Sequence, residues 1–166
     1  MTDVIFLHLP GALSPYRSPD HLLRVDSLPI GVLGLADLLQ RSGISSEVVH
    51  LGVEWMEDPP FSLASYLKDK SPRTVALDLH WHHQSFDVIE TTRQIKAVLP
   101  QTYILLGGLS ASSFHEEIMK DFPSVDGIIR GERLRGLWSN WPLPCSSRRR
   151  ISSRSPTSPG EGKGKS

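Results

Sequence analysis

Between Val4 and Ile129 the chain alternates short apolar runs with stretches of helical periodicity, and this alternation limits the possible folds more than any other feature. Consecutive apolar runs are separated by far more than the two to five residues of a hairpin, so neighbouring strands must be joined by crossovers. Crossovers of that length carry helices and produce parallel βαβ units.

The apolar run "VIFLHL" (4–9) predicts a first strand, stopped by Pro10-Gly11. After a loop rich in Pro, Ser and Asp, "SLPIGVLGLADLLQRSG" predicts a helix. Ser27 is placed to cap it, Pro29 to occupy its first turn and Gly43 to supply a left-handed residue after its end. Its predicted buried face is Ile30, Leu33, Gly34, Asp37 and Leu38, with Gly31 and Gly34 allowing close approach to a sheet. "SEVVHLG" (46–52) reads as the second strand and "FSLASYLKDK" (61–70) as a short helix. "TVALDL" (74–79) reads as the third strand, and "SFDVIETTRQIKAVLP" (85–100) as a helix burying Phe86, Ile89, Ile95 and Val98. "TYILLGG" (102–108) is the fourth strand, "SSFHEEIMKDFP" (112–123) a helix capped by Ser112 or Ser113, and "VDGIIRGE" (125–132) the fifth strand.

Five strands with intervening helices predict an α/β fold, a five-stranded parallel doubly wound sheet of the flavodoxin-like or Rossmann-like kind. The expected order is 2-1-3-4-5, because parallel crossovers are right-handed. In such sheets ligands bind beyond the carboxyl ends of the strands, near the switch point between strands 1 and 3. Segments 10–28, 80–85, 107–113 and 130–132 are expected along that edge. The domain is expected to span residues 1–132. From 133 to 166 the sequence loses its period and concentrates Ser, Pro, Gly and Arg, as a disordered tail does. Its "RRRISSR" run reads more simply as solvated tail than as a nucleic-acid patch.

Composition narrows the partners. The chain has 18 basic and 18 acidic residues, so no charge bias favours nucleic acid or an anionic membrane. No apolar stretch reaches the roughly 20 residues of a membrane span, and the N-terminus lacks the basic start of a signal peptide. A cytoplasmic protein is expected, in keeping with its single cysteine, Cys145, which excludes an internal disulfide framework or any cluster of cysteine ligands. Oligomeric state is not legible in the sequence.

"LLGGLSASSF" (105–114) holds the strongest site signal: two glycines at the end of a buried strand let a planar ligand or a phosphate approach the main chain, and serines at a helix start supply hydroxyls and amides. A plain turn with a serine cap explains the same residues equally well. "LPGALSP" stands where a dinucleotide fold would carry GxGxxG, and no Walker-type GxxxxGK[ST] occurs. A phospho-receiver would need an acidic pair after strand 1, which "LHLPG" does not offer. In "DLHWHHQS" (78–85), His80 and His82 would point the same way if the strand continued, and with Asp78 could begin a zinc site, although a closed site needs four ligands. The other readings are a polar, aromatic rim over a ligand crevice, formed by His80, Trp81 and His82, or simple packing of Trp81.

Taken in order, a first strand with a long loop, "PIGVLGLADLLQRSG", "VALDLHW", "ILLGGLSAS" and "VDGIIRGE" resemble the N-terminal cobalamin-binding domain of B12-dependent radical SAM proteins, over residues 3 to 132. The resemblance implies cobalamin across the carboxyl edge of the sheet, its nucleotide arm entering between strands 1 and 3 or beside Gly107-Gly108. The matching positions are Pro10, Gly11 and Ala12; Leu79, His80 and Trp81; Gly107, Gly108, Ser110 and Ala111; and Arg130, Gly131 and Glu132. Asp78-Leu79-His80 imitates the start of the D-x-H-x-x-G motif that supplies a cobalt ligand in other B12 domains. That motif follows strand 1 and ends in Gly, where this chain has His83, so the role is not carried over.

The family continues into a barrel whose C-x-x-x-C-x-x-C triplet holds a [4Fe–4S] cluster and cleaves S-adenosylmethionine. This sequence has no such triplet, and the resemblance stops at Arg133, as in a truncated or frame-shifted coding sequence. The expectation is a corrinoid-binding fragment without radical chemistry of its own. Two rivals are a Rossmann-like remnant that binds nothing and a small zinc-binding α/β domain built on the "DLHWHH" loop.

Overall fold

A computed structural model describes residues 2–10 and 30–130. Five parallel strands form one sheet: β1 (Val4–His8), β2 (Ser46–His50), β3 (Thr74–Asp78), β4 (Tyr103–Gly107) and β5 (Gly127–Ile128), in the order β2-β1-β3-β4-β5. This is the doubly wound order expected from the sequence. The helices are α1 (Ile30–Arg41), α2 (Leu51–Glu57), α3 (Leu63–Lys70), α4 (Ser85–Val98), α5 (Leu109–Ser113) and α6 (His115–Asp121). Gly11, Ala12, the caps Ser27 and Pro29, Gly131, Glu132 and the tail 133–166 lie outside the described residues.

Side chains alternate across the strands and sort the core into two halves. Ile5, Leu7, Val75, Leu77, Ile104 and Leu106 pack with Leu67, Ile89, Ile95 and Ile118 on one face, under α3, α4 and α6. Val4, Phe6, Ala76 and Leu105 face the other way, against Ala36 and Leu39 of α1. Strands buried on both faces are why "VIFL" and "YILL" read as continuous apolar runs instead of alternating ones.

Several elements differ from the sequence expectation. The buried stripe of α1 is Ala36 and Leu39 with Val32 and Leu35, while Ile30, Leu33 and Leu38 are exposed. The stripe at 32, 35, 36 and 39 is uniformly apolar, whereas the predicted one carried Asp37 and a glycine, and burial follows the stripe without a charge to desolvate. Gly31 and Gly34 make no close approach among the described residues, for a Cβ on either would meet none of their atoms within 4 Å. The end of α1 is as expected: Gly43 sits at φ +80°, and Ile44 N donates to Leu39 O at 3.0 Å and Gly43 N to Gln40 O at 3.0 Å, the paired bonds of a Schellman close. β2 stops at His50, and Leu51 and Gly52 open a helix that the sequence reading missed. In α4, Val88, Ile89, Thr91, Thr92 and Ile95 are buried, while Phe86 is exposed and Val98 half-buried. The fifth strand shrinks to two residues, its approach fixed by Asp126, whose carboxylate accepts from Ile104 N at 2.7 Å and pairs with Lys96 Nζ at 2.6 Å.

A polar cluster ties β2 to α3. Glu47 accepts from Tyr66 Oη at 2.6 Å and from Lys70 Nζ at 2.9 Å. Burial raises the carboxyl, but the Tyr66 and Lys70 hydrogen bonds and the Lys70 charge outweigh it and hold Glu47 below its ordinary 4.5. Burial, then Glu47 itself, pushes the Tyr66 phenol upward. A depressed carboxyl stabilises the fold above its unfolded value, and that stability is lost as pH falls through the lower folded value. Glu47→Gln is therefore expected to flatten the loss of melting temperature between pH 7 and pH 3. The pair is half-exposed, so its worth is roughly 0.5 kcal/mol and the flattening about 2 °C. Identical pH profiles for both proteins would show that the cluster is electrostatically idle.

Candidate functional site

Four strands end in one row at the carboxyl edge. The parallel register sets His8 opposite His50, carries β1 against β3 up to Leu7 and Leu77, and sets Asp78 opposite Gly107. His50, His8, Asp78 and Gly107 are thus the last residues of β2, β1, β3 and β4, and alternation from Val4, Phe6 and Ala76 puts this row on the α1 side of the sheet.

Inside this row is a buried dyad. His8 Nδ1 donates to the Asp78 carboxylate, at 2.8 Å from one oxygen and 2.9 Å from the other, with the side chains only 4% and 9% exposed. The His50 ring meets His8 edge-on, centroids 4.7 Å apart at 64°. With Nδ1 committed to Asp78, the other ring nitrogen, Nε2, is buried and has no hydrogen-bond partner among the described residues. Beside Asp78, the position of a side chain at Gly107 is open among the described residues: a Cβ there would meet none of their atoms within 4 Å. The carboxyl edge therefore carries a buried polar atom on β1 without a partner among the described residues and, two strands away on β4, bare main chain.

The loops after β3 and β4 are joined across this edge. Leu79 N donates to Gly107 O at 2.7 Å and Ala111 N to Leu79 O at 3.2 Å. Ser110 Oγ donates to His80 O at 2.8 Å. Gly108 sits at φ +108°, so close to the neighbouring loop that a Cβ would lie 2.6 Å from Leu79 O. α5 starts at Leu109, three residues before the predicted start, and Ser112 is not a cap: its hydroxyl donates back to Gly108 O at 2.7 Å.

The B12 binding domain matches residues 22–134, more than half of the 166-residue chain. The chain belongs to the B12-binding domain family. No curated protein and no solved structure matches it. The carboxyl edge of this B12-binding domain fits a corrinoid on its own chemistry. The flank of Gly107 is open among the described residues, and His8 Nε2 is a buried polar atom without a partner among them, a state that costs about 1–3 kcal/mol.

The predicted site residues divide accordingly. His80 and Trp81 are exposed at the edge, Trp81 at 59%, while Leu79 and Ala111 are core side chains that act there only through their backbone. Pro10 is buried just past β1, Gly108 and Ser110 weld the two loops, and Arg130 is exposed at the end of the described chain. The zinc arrangement does not form. β3 stops at Asp78, the next residues turn into a 3₁₀ segment at His82–Gln84, and Asp78 is bound to His8 instead of facing His80 or His82. Among the described residues no group of three His, Cys, Asp or Glu could hold a metal ion. Nor is any described helix long and apolar enough to cross a membrane.

The sequence reading missed His8, and considered Asp78 only as a zinc ligand or as the start of a D-x-H motif. The signal was present in the strand endings "VIFLH", "SEVVH", "TVALD" and "YILLG", which close on His, His, Asp and Gly. Only the register reveals that these endings coincide. A separate apolar cleft of about 390 Å³, lined by Leu79, Phe86, Ile89, Phe114 and Ile118 among others, lies on the opposite face between α4 and α5–α6.

Proposed function

We propose that this B12-binding domain holds cobalamin across the carboxyl ends of β1, β3 and β4, as the corrinoid module of a B12-dependent radical SAM protein. The observation that carries the reading is the family match over residues 22–134, together with the flank of Gly107 beside Asp78 at the carboxyl edge, where a Cβ would meet no described atom within 4 Å. The radical SAM parentage rests on the ordered motifs "PIGVLGLADLLQRSG", "VALDLHW", "ILLGGLSAS" and "VDGIIRGE".

In this reading Gly107 admits the ligand to the main chain, Gly108 packs its turn against the 79–80 backbone, His80 and Trp81 form a hydrogen-bonding and stacking rim, and Ser110 supports that rim. Pro10, Gly11 and Ala12 contribute from the first loop, and Arg130, Gly131 and Glu132 from the loop after β5. The bound corrinoid supplies cobalt chemistry; the chain binds it, orients it and keeps water from it. With one cysteine, the sequence has no residues for a [4Fe–4S] cluster, so that cluster and S-adenosylmethionine belong to the rest of the radical SAM architecture. A reducing cytoplasm suits the lone Cys145.

Titration of the purified chain with hydroxocobalamin, read by corrin absorbance and by melting temperature, tests the proposal. Stoichiometric saturation is expected, with about 2.7 kcal/mol of stabilisation at a hundredfold excess over Kd, worth several degrees. A folded chain with neither response would be a sheet that has kept the architecture without the ligand.

A further inference from the structure

We propose that Ser110 is a positioning residue that sets Trp81 at the cofactor edge, an inference that rests on the corrinoid reading above. Trp81 is 59% exposed, so little packing fixes its ring, and its place depends on where the backbone delivers it. β3 ends at Asp78, three residues earlier. Between that end and Trp81 the loop is held to the β4 side at three points. Leu79 is gripped through its N–H by Gly107 O and through its carbonyl by Ala111 N, and His80 through its carbonyl by Ser110 Oγ at 2.8 Å. The first two are backbone bonds that any sequence could make. The third needs a hydroxyl on the first turn of α5, and it is the last tether before Trp81; beyond it the chain turns through Gln84 N donating to Trp81 O at 3.0 Å.

The bond lies at the surface, where losing it costs the fold little, because water can replace the donor. Its effect therefore falls on the loop's position. Ser110 thereby couples the turn that would admit the cofactor, Gly107-Gly108, to the aromatic residue that would cover it.

The test uses the full chain labelled with 5-fluorotryptophan, the Trp81 resonance being assigned by its loss in Trp81→Phe. Ser110→Ala is expected to shift or broaden that resonance while moving the melting temperature by no more than about 2 °C. Ser110→Thr, which keeps the hydroxyl, restores the wild-type signal. Hydroxocobalamin binding should weaken three- to tenfold in Ser110→Ala and recover in Ser110→Thr. An unmoved Trp81 resonance in Ser110→Ala, or alanine and threonine variants equally impaired, overturns the proposal. A wild-type chain that binds no cobalamin would refute the corrinoid reading alone, because the fluorine signal still decides whether the tether sets Trp81.

Discussion

Gly108→Ala is expected to destabilise the domain by about 3 kcal/mol or more and to abolish corrinoid binding. Two costs combine. Gly108 adopts φ 108° and ψ 179°, a backbone region that essentially only glycine occupies, where a side chain costs on the order of 1–3 kcal/mol. The added Cβ would also sit 2.6 Å from Leu79 O, 2.8 Å from Leu79 C and 3.1 Å from His80 N. All three are backbone atoms, so no rotamer change relieves the clash, and overpacking of this kind adds roughly 1–3 kcal/mol. For a domain of this size the melting temperature should fall by about 10 °C. Relief requires the 79–81 loop to part from the 107–111 turn, which dismantles the edge that would hold the cofactor. Gly107→Ala is the control that separates fold from site. Its Cβ meets no described atom within 4 Å, so stability should stay within about 0.5 kcal/mol while the methyl enters the space proposed for the ligand. Thermal melts and hydroxocobalamin titrations of both variants check this, and a Gly108→Ala protein as stable as wild type would refute the geometry.

The architecture was legible because burial on both faces writes itself into composition. "VIFL", "TVAL" and "YILL" could be little else than interior parallel strands, and the right-handed crossover rule then fixed the order of the sheet. Boundaries read less well where two signals overlap. "SEVVHLG" looks like one apolar run, yet Leu51 and Gly52 already belong to α2, because a buried residue at a strand end serves a strand or a helix start equally. In α1 the sequence offers two apolar stripes, and only the packing shows that the one free of Asp37 is buried. The loop residues Gly108, Ser110, His80 and Trp81 were legible as candidates, since glycines at a strand end and an aromatic after one are local signals. His8 was not. A histidine inside an apolar run carries no local mark of function, and its meaning comes from Asp78, seventy residues away in sequence and 2.8 Å away in space.

Asp78→Ala tests whether that pair serves the fold, the cofactor or both. Removing the carboxylate strands the Nδ1 donor of His8 in an environment where Nε2 already has no partner, so a loss of about 1–3 kcal/mol is expected. Asp78→Asn keeps an acceptor oxygen and should cost less. Replacing both partners with apolar side chains, as in His8→Phe/Asp78→Leu, removes the buried polar groups together and should return most of the lost stability. The same double variant discards the buried His8 Nε2, which has no partner among the described residues. If that nitrogen answers a group of the corrinoid, the restored fold should still bind hydroxocobalamin at least tenfold more weakly, about 1.4 kcal/mol. Stability that returns while affinity stays lost assigns the dyad to the cofactor. Wild-type affinity in the double variant would make the dyad a structural tie between β1 and β3, and would move the binding site along the edge toward Trp81 and Gly107.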